Sequence, residues 1–152
     1  MPVPPFASRR QTYPRALRPK PESLRVFICD DDLDFAAELA SALATCGFEV
    51  RTLLDGRTPL EILELFAPDV ILLDLFMPPP DGFEMVNHIV QHITHRDISI
   101  AIISGSTAGM LETADRFCLA RGITASAVLQ KPILISDVLR VCNGHRGRKE
   151  PS

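Results

Sequence analysis

No stretch of this 152-residue chain approaches the roughly 20 consecutive apolar residues that a membrane-spanning helix needs, and its N-terminus lacks the apolar core of a secretory signal. A soluble cytoplasmic protein is therefore expected. The four cysteines, Cys29, Cys46, Cys118 and Cys142, include no C-x-x-C pair, which argues against a disulfide framework or a zinc clip and predicts buried, reduced thiols. Lysine is scarce as well: only Lys131 lies between Lys20 and Lys149. A net positive balance is found only at the ends. Residues 1–23 carry Arg9, Arg10, Arg15, Arg18 and Lys20 against Glu22, and Arg146, Arg148 and Lys149 face Glu150 at the other end, so the segment between them is far more acidic than the net −3 suggests. An acidic body argues against direct DNA binding through the fold.

The first 23 residues also hold six of the 13 prolines, which predicts a disordered basic arm over 1–23. Residues 24–142 are expected to form one domain, and 143–152 a disordered tail. With 46% hydrophobic residues the chain can build one well-packed core but hardly two.

Within the body, short apolar runs alternate with segments of helical period, the pattern of an α/β fold with a parallel sheet covered on both faces. The runs are Val26–Cys29, Phe48–Leu53, Val70–Leu73, Ile100–Ile103 and Ala127–Leu129. Asp32 is expected to cap the first helix and Gly47 to close it, Pro59 to open the second, and Ala67-Pro68 to end it. The third helix carries Phe83, Val86, Ile89, Val90 and Ile93. The fourth carries Leu111, Ala114, Phe117 and Cys118 and ends at Gly122, and the last runs from about Ser136 to Val141.

What stands behind the runs is chemically specific. Asp30-Asp31-Asp32 follows the first, Asp74 ends the third, Ser104 ends the fourth, and Lys131-Pro132 follows the fifth. In an open α/β sheet these positions share the carboxyl edge, where ligands bind. Grouped carboxylates repel by up to roughly 4 kcal/mol per pair, so they predict a cation, and hard oxygen ligands with room for water and phosphate suit Mg²⁺. Asp74, alone at the end of a central strand, is the expected nucleophile, giving an acyl phosphate while Asp30 and Asp31 share the metal. Lys131 supplies a charge and Ser104 a hydroxyl for phosphoryl oxygens.

These residues, with Asp74-Leu75-Phe76-Met77-Pro78-Pro79-Pro80-Asp81-Gly82 and Ser104-Gly105, make residues 25–142 resemble the receiver domain of bacterial two-component response regulators, of the chemotaxis-regulator kind. The resemblance implies a flavodoxin-like, doubly wound five-stranded parallel sheet of order 2-1-3-4-5. It implies a phosphorelay switch phosphorylated on Asp74 by a histidine kinase, a phosphotransfer protein or a small phosphodonor. Asp31, Asp74 and the backbone carbonyl of Phe76 are then metal ligands, with Asp30 assisting through water. Ser104 and Lys131 contact the phosphoryl group, and the bond before Pro132 is cis.

Two departures stand out. Where receivers commonly carry an aromatic switch residue, this chain has Val128, so output is expected to use another element, such as the Ser104–Met110 loop, or to be weak. Phe76 is expected to shield the acyl phosphate, lengthening its life relative to Phe76→Asn. Ile103-Ser104-Gly105, Leu111-Glu112-Thr113-Ala114 and Ala120-Arg121-Gly122 also resemble receivers fused to cyclic-di-GMP phosphodiesterase domains. Only about ten polar residues follow the last helix, too few for a helix-turn-helix or an enzyme, so a stand-alone receiver acting through protein contacts, with no separate output enzyme, is expected.

Other signals have simpler explanations. His88, His92 and His95 share a helical stripe displaced from the apolar face, which reads as a solvated surface before it reads as a metal grip. Asp34 and Asp81 fit helix-start and turn roles. Asp30-x-Asp32 resembles the nucleophile motif of haloacid-dehalogenase phosphatases, but Asp34 stands where that motif needs Thr or Val. A constitutive interaction module that kept the site and lost the switch is the remaining alternative.

Overall fold

β-branched and other apolar residues that sit inside a covered sheet form the strands, and amphipathic segments between them form the helices. The structure is a computed structural model that describes residues 23–53, 58–78, 81–92, 98–105, 108–121 and 127–149. The arm over 1–22, together with Pro79, Pro80, Ile93, His95 and Gly122, lies outside the described residues.

The order of elements is β1 (Arg25–Cys29), α1 (Leu33–Thr45), β2 (Glu49–Thr52), α2 (Pro59–Phe66), β3 (Val70–Asp74), α3 (Gly82–His92), β4 (Ser99–Ser104), α4 (Ala108–Ala120), β5 (Ala127–Gln130) and α5 (Ile135–Lys149). All strands are parallel, in the order β2-β1-β3-β4-β5. β1 and β3 are buried along their whole length, so apolar residues face both ways, and the period-2 alternation divides them between two cores. Phe27, Cys29, Ile71, Leu73, Ile100 and Ile102 pack against α2, α3 and α4. Val26, Ile28, Val70, Leu72, Ala101 and Ile103 pack against α1 and α5. Edge strand β2 is more exposed and shorter than the run Phe48–Leu53, because Phe48 leaves the ladder to fill the second core.

The helix ends follow local chemistry. The Asp32 carboxylate accepts from the Phe35 amide at 3.1 Å, and Gly47 takes φ +94 just past the end of α1, where a side chain would be strained. Thr58 and Glu61 form a capping box ahead of Pro59, and Ala67 closes α2 in the left-handed region. Asp81 accepts from the Glu84 amide at 2.9 Å and so opens α3. Cys46 departs from the expectation of buried thiols, since it lies exposed behind α1 while Cys29, Cys118 and Cys142 are buried.

The last helix corrects a second expectation. Instead of ending near Val141 before a disordered tail over 143–152, α5 continues to Lys149. Val138, Val141, Cys142 and His145 follow one another at helical spacing on its buried side, and the His145 ring, 1% exposed, sits with Nδ1 2.8 Å from Ser99 Oγ. That buried polar contact gives the helix a reason to persist through a polar stretch. Gly144 lies in this extension with nothing within 4 Å of the place a Cβ would take. Gly144→Ala is therefore expected to stabilise the protein by about 0.5–1 kcal/mol, raising the thermal midpoint by roughly 2–5 °C. An unchanged midpoint would fit a frayed tail and overturn the continuous helix.

Candidate functional site

Parallel pairing brings every strand's carboxyl end to one edge. Asp30 follows β1 directly, and Asp74 pairs with Ile103, so Ser104 stands one position beyond that register on the neighbouring strand. Ser104 in turn pairs with Gln130, the residue before Lys131. Four strands thus end at one edge of the sheet with the predicted residues at or just behind their ends.

Asp30 and Asp74 are held in the same way. Asp30 Oδ1 accepts from the Asp32 amide at 2.8 Å, and Asp74 Oδ1 accepts from the Phe76 amide at 2.9 Å. Each aspartate thereby commits one oxygen to the backbone two residues on and presents the other. The second oxygens face a shared cation: Lys131 Nζ lies 2.7 Å from Asp30 Oδ2 and 4.0 Å from Asp74 Oδ2. The ammonium also sits 4.7 Å from the centroid of the Phe35 ring, a contact the sequence pattern did not single out. Asp30 is wholly buried and Asp74 nearly so, while Asp31 is exposed at the rim. The peptide bond Lys131-Pro132 is cis.

One ligand oxygen from each of Asp30, Asp31 and Asp74 falls within 4.8 Å of the others. At an effective dielectric of 20, each close carboxylate pair repels by about 3 kcal/mol, less for solvated Asp31, and a single lysine does not cancel three charges. An all-oxygen donor set at the ends of two strands fits a divalent cation such as Mg²⁺. Among the described residues, Asp34 and Asp81 stay outside this group. His88 belongs to another contact altogether, half-buried with Nε2 3.4 Å from Glu64 Oε1 between α3 and α2, which makes it less solvated than the stripe suggested.

The local field shifts three groups. Burial pushes the Asp74 carboxyl up; the Phe76 amide and Lys131 oppose this, and Asp30 and Asp31 add to it. Burial draws the Lys131 ammonium down, but its bond to Asp30 and the charges of Asp30, Asp74 and Asp32 outweigh that and hold it above the ordinary lysine value of 10.5. Burial, followed by Asp30, Asp74 and Asp31, pushes the Cys29 thiol far up, so it stays protonated, with its sulfur 4.0 Å from Met77 Sδ.

The family model of the response regulator receiver domain matches residues 26–142. The chain belongs to the receiver family. Over 119 residues the receiver is 31% identical to the transcriptional regulatory protein PrrA of Mycobacterium tuberculosis, an alignment covering 74% of this chain and 50% of that protein. Over 117 residues it is 32% identical to the transcriptional regulatory protein PdtaR of the same species, covering 76% and 53%. It therefore spans about half the length of these relatives. A response regulator from Colwellia psychrerythraea is 28% identical with a TM-score of 0.62, covering 82% of this receiver and 98% of that chain. The chemotaxis protein CheY4 of Vibrio cholerae is 25% identical with a TM-score of 0.67, covering 80% and 98%. The five-stranded order 2-1-3-4-5 expected from sequence is the order found in this receiver.

A raised folded-state pKa for Asp74 means that its ionised form opposes folding. That penalty is fully present above the raised value and fades as pH falls toward 3.8, the ordinary value. Without divalent metal, Asp74→Asn is expected to melt higher than the native receiver at neutral pH, with the gap closing as pH is lowered toward 4. Mg²⁺ at tenfold its dissociation constant should stabilise the native receiver by about 1.4 kcal/mol. Melting curves with EDTA and with Mg²⁺ check both, and a lower midpoint for the metal-free mutant would contradict the crowding of carboxylates.

Proposed function

We propose that this receiver is a phosphorelay switch that accepts a phosphoryl group on Asp74 and acts through protein contacts in the cytoplasm. The observation that carries the reading is Lys131 Nζ placed between the second oxygens of Asp30 and Asp74, with Asp31 at the rim. Asp74 Oδ1 is occupied by the Phe76 amide, so Oδ2 is the oxygen that bonds to phosphorus as the donor's own bond to phosphorus breaks. Lys131 holds phosphoryl oxygens, and the Ser104 hydroxyl is assigned the same task. Asp30, Asp31, Asp74 and the Phe76 carbonyl would hold Mg²⁺, which when bound neutralises the carboxylates and draws charge from the phosphoryl oxygens. A histidine kinase, a phosphotransfer protein or a small acyl phosphate serves as donor, and no direct DNA contact is assigned to the acidic body.

Incubation with Mg²⁺ and acetyl phosphate followed by intact-mass measurement tests this. One phosphoryl adduct is expected, absent in Asp74→Asn and weak in Asp30→Asn. No adduct would favour a constitutive interaction module, a reading that Val128 in place of a ring supports. Sustained release of phosphate that depends on Asp30 would favour a phosphatase.

A further inference from the structure

The loop behind Asp74 leads into a row of stacked rings. Phe76, 39% exposed, meets Phe83 of α3 edge to face, with centroids 5.7 Å apart and planes at 74°. Phe83 meets Phe117 of α4 in the same manner at 4.7 Å and 87°. The Arg121 guanidinium lies 3.5 Å from the Phe117 centroid, and Arg121 also donates from Nε to Asn87 Oδ1 at 2.6 Å and from Nη1 to the Phe117 carbonyl at 3.4 Å. The row begins at the acceptor itself, because the Phe76 amide donates to Asp74 Oδ1. Direct contacts therefore join Asp74 to the end of α4. Val128 of β5 packs against the same core but brings no ring.

We propose that Phe76, Phe83, Phe117 and Arg121 form the relay through which the state of Asp74 reaches the end of α4, the phosphorylated state releasing Arg121 from Asn87. The relay rests on the phosphorylation of Asp74 proposed above. Transfer forms a bond between an Asp74 oxygen and phosphorus, the donor's leaving group departs with the electron pair of its broken bond, and a carboxylate becomes an acyl phosphate. The new group crowds Phe76 and changes the acceptor to which its amide is bonded. Edge-to-face pairs are directional, since a positive edge meets a negative face, so a displaced Phe76 is felt as a tilt at Phe83 and again at Phe117. The guanidinium over Phe117 responds because its attraction depends on its place over the ring. A relay needs two discrete states at its end: the structure holds the first, with Arg121 closed on Asn87, and release of that side chain into solvent is the second that the proposal requires.

The test uses the full chain with Mg²⁺ and acetyl phosphate, reading the phosphoryl count by mass and amide hydrogen exchange over residues 112–121. Phosphorylation of the native chain is expected to speed exchange there several-fold. Phe83→Leu should still accept one phosphoryl group but lose that acceleration, whereas a merely structural role would lower the melting point and leave the acceleration intact. Arg121→Gln, at an exposed position, should exchange fast with or without the phosphoryl group, and it decides the matter if Phe83→Leu fails to fold. A phosphorylated native chain with unchanged exchange, or an Arg121→Gln chain that still responds, overturns the relay. Absence of any adduct on the native chain is a separate result, read by mass, that removes the phosphorylation on which the relay depends.

Discussion

Gly82→Ala is expected to destabilise the receiver by about 2 kcal/mol, lowering its midpoint by roughly 6–10 °C, and to slow phosphoryl uptake by an order of magnitude or more. By helix propensity alone the change should help, by up to about 1 kcal/mol. Sterics reverse the sign. A Cβ on Gly82 would overlap the Leu75 Cα, stand 2.6 Å from Leu75 Cδ2 and stand 2.7 Å from the Asp74 carbonyl oxygen. Two of these neighbours are backbone atoms and cannot turn aside, and the Gly82 amide already donates to the Leu75 carbonyl at 3.3 Å. Either α3 retreats or the segment bearing Asp74 moves, and both spoil the alignment of Asp74 with Lys131. The same substitution at Gly144, where a Cβ meets open space, carries the opposite expected sign. Melting curves and adduct formation measured together decide the point: a stable, fully phosphorylated Gly82→Ala protein would show that this approach has no role.

Lys131→Met should destabilise the metal-free receiver by about 2 kcal/mol. Removing one partner of a buried pair typically costs about 3–5 kcal/mol, and the partial exposure of the Lys131 ammonium reduces that through solvent screening. The loss arises mainly at Asp30, which stays wholly buried and without its 2.7 Å cation. Methionine keeps much of the apolar stem and removes the ammonium, with its place over the Phe35 ring, so the charge is what changes. Adding Asp30→Asn should restore most of the loss, since no carboxylate then remains uncompensated there. Mg²⁺ should narrow the gap between native and Lys131→Met proteins, because a bound cation takes over part of the compensation. Denaturant unfolding of the four proteins, with EDTA and with Mg²⁺, gives the coupling. Strictly additive losses would mean that Asp30 and Lys131 do not act as a pair.

Sequence pattern reached the sheet and its order because β1 and β3 are apolar on both faces and the polar residues stand directly behind them. Asp32, Pro59 and Ala67-Pro68 marked helix ends by local rules that the structure follows. Asp30, Asp31, Asp74 and Lys131 were legible as one site because parallel strands can place them nowhere else. Their partnerships were not. Lys131 read as a phosphoryl contact, and its bond to Asp30 depends on a reach across the sheet that no local spacing encodes. The ring of Phe35 under that lysine, and the approach of Gly82 to Leu75, are likewise matters of how loops fold over an edge. The extension of α5 was missed because its polar, glycine-bearing sequence looks like a tail, and only Cys142 and His145 mark the buried side. His145 reveals its purpose only when Ser99, far away in sequence, is seen beside it.

The bond between Lys131 and Asp30 joins residues roughly a hundred positions apart, and the intervening chain contains β2, β3, β4 and β5. Contacts of such long range must meet the entropic cost of closing a long loop, and this one needs β3 and β4 paired between β1 and β5. The phosphoryl acceptance proposed for Asp74 is thereby tied to completion of the fold: a chain whose β5 is unpaired has its aspartates but no lysine among them. On that proposal the receiver carries its own quality control, silent in any molecule whose last strand has not yet docked.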